Sequence, residues 1–302
     1  MNILITGGTG LLGKRLVGQL LDLGWSPRLA SRTADLNANV PQYEWNISEN
    51  KIDQRALDEV DAIIHLAGAN VAEGRWTKKR KDEILESRVN STRILFEAVE
   101  KLEKKPRTLI CASATGYYGL QELEHVSNEE EKAGSDFLAQ VCQKWETEAD
   151  RFETLGMRVV KVRTGVVFDQ SGGALQKMVQ PIRFFVGAAL GSGKQNIPWI
   201  HWEDWCGAVI HLLQQNNLSG AFNLVAPQPV TNAELTRFIA KVMGRPLVLP
   251  NVPALALKIL LGEMSSIVLQ GHKVSSEKLI ESGYKFKHES TLEAVSELLS
   301  QD

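Results

Sequence analysis

Three glycines spaced by three, Gly7, Gly10 and Gly13, follow the apolar run Ile3-Leu4-Ile5. Leu16, Val17, Leu20, Leu21 and Leu23 come next at helical spacing, up to Gly24. A buried strand, a glycine turn and a helix, in that order, are the setting in which such glycines bind a dinucleotide. Gly7 lets the chain turn tightly, Gly10 brings backbone up to a pyrophosphate, and Gly13 lets the helix close on the strand. The free N–H groups and partial positive charge at the helix start then face the phosphates, with Thr9, Leu11 and Leu12 completing the loop. The alternative is a glycine loop without a ligand, and the flanking strand and helix weigh against it.

Ser31-Arg32 closes the second apolar run, where an acidic residue would bind the ribose 2′-hydroxyl of NAD. No acid stands there. The planar fork of Arg32 suits a 2′-phosphate and Ser31 adds a hydroxyl donor, so NADP(H) is expected over NAD(H). The rival reading makes Arg32 a surface residue after a strand. The fourth strand is expected to end in Ile64-His65-Leu66-Ala67-Gly68, a small-residue turn at the edge where open α/β sheets bind ligands. Leu66, Ala67 and Gly68 would let the cofactor ribose pass close to backbone. His65, inside an apolar run, is expected to be a satisfied core residue.

The elements that must hold these residues alternate. Apolar runs at 28–31, 62–66, 108–112 and 158–162 are separated by helical stretches at 77–101 and 135–155. Such alternation predicts βαβ units, a doubly wound parallel sheet and an α/β fold of Rossmann type. After Val167 the texture breaks into short pieces around Gly172-Gly173, Gly187, Gly191, Gly193 and several prolines. Residues 221–225 read as one more strand of the main sheet. The expected division is a dinucleotide-binding domain, 1–167 plus 203–225, and a smaller substrate lobe, 168–202 plus 226–302. A chain of 302 residues with net charge −2 is long enough for both and has no global pull toward nucleic acid or an anionic membrane. The basic run 78–81 is followed at once by Asp82, Glu83 and Glu86, a solvated helix face first and an attractor of anions second. Cys111, Cys142 and Cys206 follow no metal-ligand pattern and form no disulfide framework, as in a reducing cytoplasm. No secretory leader, membrane span or metal site is expected. The sequence does not fix the oligomeric state, and a homodimer is one expectation.

Further motifs are Arg75-Trp76, Ser87-Arg88-Val89, Ser113-Ala-Thr-Gly-Tyr-Tyr-Gly119, Phe137-Leu138 through Cys142, and Trp145-Glu146. To these add Arg163-Thr-Gly-Val-Val167, Gly191-Ser-Gly193 with Gln195, and Trp199-Ile-His201 with Asp204. Over essentially its whole length the chain resembles the extended short-chain dehydrogenase/reductases. It is most similar to the atypical subfamily labelled epimerase family or nucleoside-diphosphate-sugar epimerase-like, with a short C-terminal domain. The resemblance implies a Rossmann fold and bound NADP(H).

In ordinary members a Tyr-x-x-x-Lys pair does acid–base chemistry while a Ser or Thr orients the substrate oxygen. Free phenol titrates near ~10, so the tyrosine needs such tuning. Ser113 stands at the serine position; a hydroxyl that merely satisfies a turn is its alternative. Aligning Glu146 with the acid that closes the motif puts Leu138 and Cys142 at the Tyr and Lys positions, and Lys144, about 200° further round the helix, would point away. Tyr117 or Tyr118 is then the candidate phenol, with sheet-edge packing as the alternative and Tyr117 the preferred one. Arg88 falls where a supporting asparagine is usual and is assigned to the cofactor's phosphates or nicotinamide ribose. Val167 is expected beside the nicotinamide, and Arg163 makes either a polar contact there or a buried ion pair. Gln195, Trp199 and His201 would line the substrate cleft, and Asp204 would lie there or cap a helix at 205–213. The expected function is that of an NADP(H)-dependent oxidoreductase or epimerase on a sugar nucleotide or similar small molecule. An NADP(H)-bound regulatory partner without turnover, for example in cell division, is the alternative that the missing dyad predicts.

Overall fold

The structure, a computed structural model, describes residues 1–300 of the chain. Its first half runs β1 (Asn2–Thr6), α1 (Leu11–Asp22), β2 (Ser26–Ser31), β3 (Gln42–Asn46), β4 (Lys51–Ile52), β5 (Ala62–His65) and α2 (Lys78–Glu100). Next come β6 (Thr108–Ala114), β7 (Val126–Ser127), α3 (Phe137–Asp150), β8 (Arg158–Thr164) and β9 (Val166–Asp169). Then follow α4 (Gly173–Arg183), β10 (Asn196–Ile197), β11 (Trp199–His201), α5 (Trp202–Gln214) and β12 (Gly220–Leu224). The chain finishes with β13 (Val230–Thr231), α6 (Asn232–Val242), α7 (Ala254–Leu261), α8 (Ser266–Leu269), β14 (Lys273–Val274), α9 (Glu277–Glu281) and α10 (Thr291–Ser300).

Eight strands form one sheet in the order β12-β8-β6-β5-β1-β2-β3-β4, parallel except where β4 turns back on β3. This is a Rossmann-type, doubly wound α/β fold. The apolar strands are buried on both faces, as parallel strands must be when helices cover both sides. On one face Leu16 and Leu20 of α1 pack with Trp205, Val209 and Leu212 of α5 against Ile3, Ile5 and Ile64. On the other, Ile94, Leu95 and Val99 of α2 and Trp145 and Ala149 of α3 cover Leu4, Ile63 and Leu109. A third apolar cluster gathers Phe168, Leu175, Trp199, Leu235, Ile239, Val295 and Leu298, beside the paired strands β9 and β11.

The strand sequence reverses at β1, which lies between β2 and β5. A crevice opens at the carboxyl ends at such a switch point. The element bounds differ from the sequence reading mainly where tertiary pairing extends them. β6 runs on to Ala114 because Ser113 and Ala114 pair with Arg163 and Thr164 of β8. α5 starts at Trp202 because the His201 ring accepts the Glu203 N–H and caps it. No helix among the described residues is long and apolar enough to cross a membrane.

Candidate functional site

The glycine turn sits at the switch point. Gly7 has φ +70°, and a Cβ there would come within 2.9 Å of the Leu66 carbonyl carbon. At Gly13 a Cβ would lie 2.4 Å from the Gly7 oxygen and 2.5 Å from Gly8 Cα, all of it backbone that cannot swing away. Gly10 donates to the Gly7 carbonyl at 3.0 Å and caps α1 without a side chain, and no acidic residue occupies the first turn. The first-turn N–H groups of α1 therefore point at the crevice with no protein acceptor from a cap, which suits an anion. Thr9 and Gly10 are exposed on the rim, while Leu11 and Leu12 are half-buried. Leu11 approaches Gly172, where a Cβ would lie 3.7 Å from its methyl. Arg15 of α1 holds this flank shut, with two 2.9 Å hydrogen bonds to buried Asp169 and its guanidinium 4.2 Å from the Trp202 ring centre. A dinucleotide thus fits the site: the cradle is shaped so that side chains would fill it, and it ends in free donors.

At the carboxyl end of β2, Arg32 is exposed and no carboxylate partners it among the described residues, while Ser31 Oγ donates to the Thr33 carbonyl. Leu66 and Ala67 donate their N–H groups to Thr6 Oγ1, both at 3.2 Å. That oxygen must send its own proton to His65 Nδ1, 2.6 Å away. His65 therefore carries its proton on Nε2 and gives it to Thr92 Oγ1 at 2.9 Å, which donates on to the Arg88 carbonyl. Burial first, then the Arg88 charge, drives the imidazole pKa down to about 3. His65 is a neutral core residue that ties β1 to α2.

Across the crevice, β6, α3 and β8 bring a web of charge together. Ser113 Oγ donates to Glu146 Oε1 at 2.6 Å. Arg163 Nε and Nη2 reach the two oxygens of the same carboxylate at 2.9 Å each. Of the two readings of Arg163, the buried ion pair is what the structure contains. Its remaining nitrogen reaches Tyr118 Oη at 3.2 Å, and that hydroxyl donates to Asn223 Oδ1 at 2.6 Å. Burial raises the Tyr118 pKa to about 12. Tyr117 is half-buried instead, its ring face 3.4 Å from the Arg163 guanidinium carbon and edge-on to Tyr118. Lys144 is exposed. Cys142 is buried, which raises its thiol pKa to about 11, and Leu138 packs with Trp76 and Val141. Cys111 and Cys206 are also free and buried.

Val167 pairs with Ile200 where β9 meets β11. Gln195, Trp199 and His201 are all buried, Trp199 within the third apolar cluster. Trp199 stacks on Phe168 and gives its indole N–H to Gln228, and Gln195 donates to the carbonyls of Leu190 and Val268. Asp204, read as a cap or cleft residue, instead binds the Tyr284 hydroxyl and the N–H groups of Lys287 and His288. It fastens the C-terminal segment to α5. The sequence marks Glu146 only by its motif position and leaves Asn223 and Thr6 unmarked, because each acts through residues distant in the chain.

Fold, switch point and cradle are those of the Rossmann-type, dinucleotide-binding class. The chain belongs to the NAD dependent epimerase/dehydratase family, whose model matches residues 3–225. Residues 252–298 match a second model, described as a domain of unknown function. It is 37% identical over 302 residues to the epimerase family protein YfhF of Bacillus subtilis (strain 168), covering 99% of this chain and 98% of that one. Among solved structures, the human epimerase family protein SDR39U1 (isoform 2) with NADPH superposes with a TM-score of 0.89 at 29% identity, covering 99% of each chain. The nucleoside-diphosphate sugar epimerase from Corynebacterium glutamicum superposes at 0.82 with 27% identity, all of this chain matching 59% of that one.

Proposed function

We propose that this chain binds NADP(H) along the carboxyl edge of its sheet and exchanges hydride with a small hydroxyl or carbonyl compound, as an oxidoreductase or epimerase. A sugar nucleotide is the substrate class that the Corynebacterium relative's name suggests. The observation that carries the reading is the cradle of Gly7, Gly10 and Gly13 ending in uncapped α1 donors. Thr9, Leu11 and Leu12 line it, Leu66, Ala67 and Gly68 floor the crevice, and Val167 closes its far side. Arg32 holds the 2′-phosphate, with Ser31 joining it when its hydroxyl turns from the Thr33 carbonyl. Bound there, the nicotinamide supplies the hydride acceptor or donor. Ser113, whose own proton goes to Glu146, faces a substrate hydroxyl as an acceptor, and Tyr117 moves the proton. The 2′-phosphate preference is also in keeping with the NADPH of the human relative.

The test is titration of NADPH and NADH into the wild type and an Arg32→Ala variant, followed by cofactor fluorescence. Loss of a charge-assisted fork is worth ~1.5–3 kcal/mol, so the variant should bind NADPH about tenfold or more weakly and NADH unchanged. A wild type that binds NADH as tightly as NADPH refutes the assignment. Leu138 and Cys142 at the dyad positions favour a second reading, a cofactor-bound regulatory partner without turnover. That protein would bind NADPH, pass no hydride to any sugar nucleotide, and retain a protein partner in a pull-down.

A further inference from the structure

The far end of the same edge holds one cation more than it neutralises. Arg163 is closed by Glu146, and Arg80 by Glu83 at 2.7 Å. His65 is neutral and Cys142 keeps its thiol proton. Arg88 has no carboxylate partner among the described residues. The one hydrogen bond of its side chain there runs from Nη1 to the Ile84 carbonyl, at 3.0 Å. A guanidinium has five N–H donors in a fixed fork and stays protonated, so the rest of the fork is left without acceptors. The group lies 5.1 Å from the ring centre of Trp145, whose buried indole N–H also lacks an acceptor. On its other side it touches the exposed Gly68, where a Cβ would come within 3.0 Å of Cζ.

The pyrophosphate cradle has donors of its own, the uncapped N–H groups of α1, and does not call on this cation. The cradle belongs to β1 and α1, and α1 covers the sheet face opposite to α2 and α3. Arg88 belongs to α2, whose Thr92 meets His65 at the end of β5, the strand next to β1. The fork itself rests against Gly68, just past the end of β5, one strand spacing (~4.8 Å) along the edge from the strand that carries the cradle.

We infer that Arg88 receives an anionic oxygen of the substrate, a carboxylate or phosphate group, so that the compound handled at this edge is an acid. This rests on the reading that the crevice binds NADP(H). It differs from assigning Arg88 to the cofactor, and the two sources of the anionic oxygen separate in one experiment. NADPH is titrated into wild type, Arg88→Gln and Arg88→Lys. Oxalate, and separately inorganic phosphate, is then added to each NADPH complex at constant ionic strength against a chloride control, with cofactor fluorescence as the readout.

The expected result is NADPH affinity within about twofold in all three proteins, and saturable binding of oxalate or phosphate to the wild-type complex. Arg88→Gln should weaken that second binding at least tenfold, with Arg88→Lys in between, because a point charge keeps attraction and loses the fork. A wild type that binds NADPH but not oxalate or phosphate overturns this inference alone. A tenfold loss of NADPH affinity in Arg88→Gln, its thermal melt unchanged, gives the fork to the cofactor and also overturns it. A wild type that binds no NADPH sinks the reading of the crevice and this inference with it.

Discussion

Glu146→Ala asks whether the charge web is one unit. The carboxylate takes two Arg163 donors at 2.9 Å and the Ser113 hydroxyl at 2.6 Å. The paired side chains are 4% and 6% exposed, so water does not replace what is removed. Although burial works against it, this carboxylate holds the Arg163 pKa above its ordinary value. Alanine deletes both charge-assisted acceptors and leaves a guanidinium buried beside Tyr118, whose hydroxyl cannot neutralise it. Breaking one side of a buried pair costs about 3–5 kcal/mol. The double variant Glu146→Gln with Arg163→Met removes both charges at similar volume, and should cost only about 1–2 kcal/mol. Urea unfolding followed by tryptophan fluorescence measures both, provided the m-values agree. If Glu146→Ala cost less than about 1 kcal/mol, the carboxylate would not be neutralising a desolvated charge. If the double variant cost as much as its two single substitutions added, the pair would not be coupled, and the argument would fail.

Two further outcomes follow from the cradle and from His65. Gly13→Ala places a methyl group against the Gly7 and Gly8 backbone, so the loop must shift by ~1 Å and NADPH affinity should drop about 100-fold, with the far-UV circular dichroism kept. Binding within tenfold of wild type would show that the loop does not position the phosphates. His65 has a folded pKa near 3 against an unfolded value near 6.5, so its contribution is full above about pH 6.5 and is lost as the pH falls from there toward 3. Stability of the wild type between pH 6.5 and 4 should fall more steeply than that of His65→Gln, by up to ~1.4 kcal/mol per pH unit, and equal slopes in urea titrations would contradict the buried neutral imidazole.

The cradle was legible in the sequence because all its determinants are local. Gly7, Gly10 and Gly13 need a strand before them and a helix after, and both periodicities lie within two dozen residues. The main strands were legible for the same reason, since buried parallel strands are short apolar runs. The two-residue β4 was not, because only its antiparallel pairing with β3 makes it a strand. Asp204 reads as a helix cap until Tyr284, Lys287 and His288, 80 to 84 residues on, take its oxygens.

The adjacent tyrosines show where local reading stops. Tyr117 and Tyr118 have the same side chain, the same glycine-flanked turn and nearly the same distance from Ser113, so no pattern separates them. Asn223 separates them, 105 residues from Tyr118, by accepting a hydrogen bond from the Tyr118 hydroxyl at 2.6 Å. That bond and the contact with Arg163 fix the Tyr118 hydroxyl inside the web, where burial raises its pKa to about 12 and a proton would leave only with difficulty. Tyr117 is left with its ring against the Arg163 guanidinium and no protein acceptor on its hydroxyl among the described residues. The same guanidinium that Glu146 neutralises thus orders both rings, tying one hydroxyl down and leaving the other to a ligand. The choice of Tyr117 as proton carrier depends on that asymmetry, and it is the buried pair tested by Glu146→Ala that maintains it.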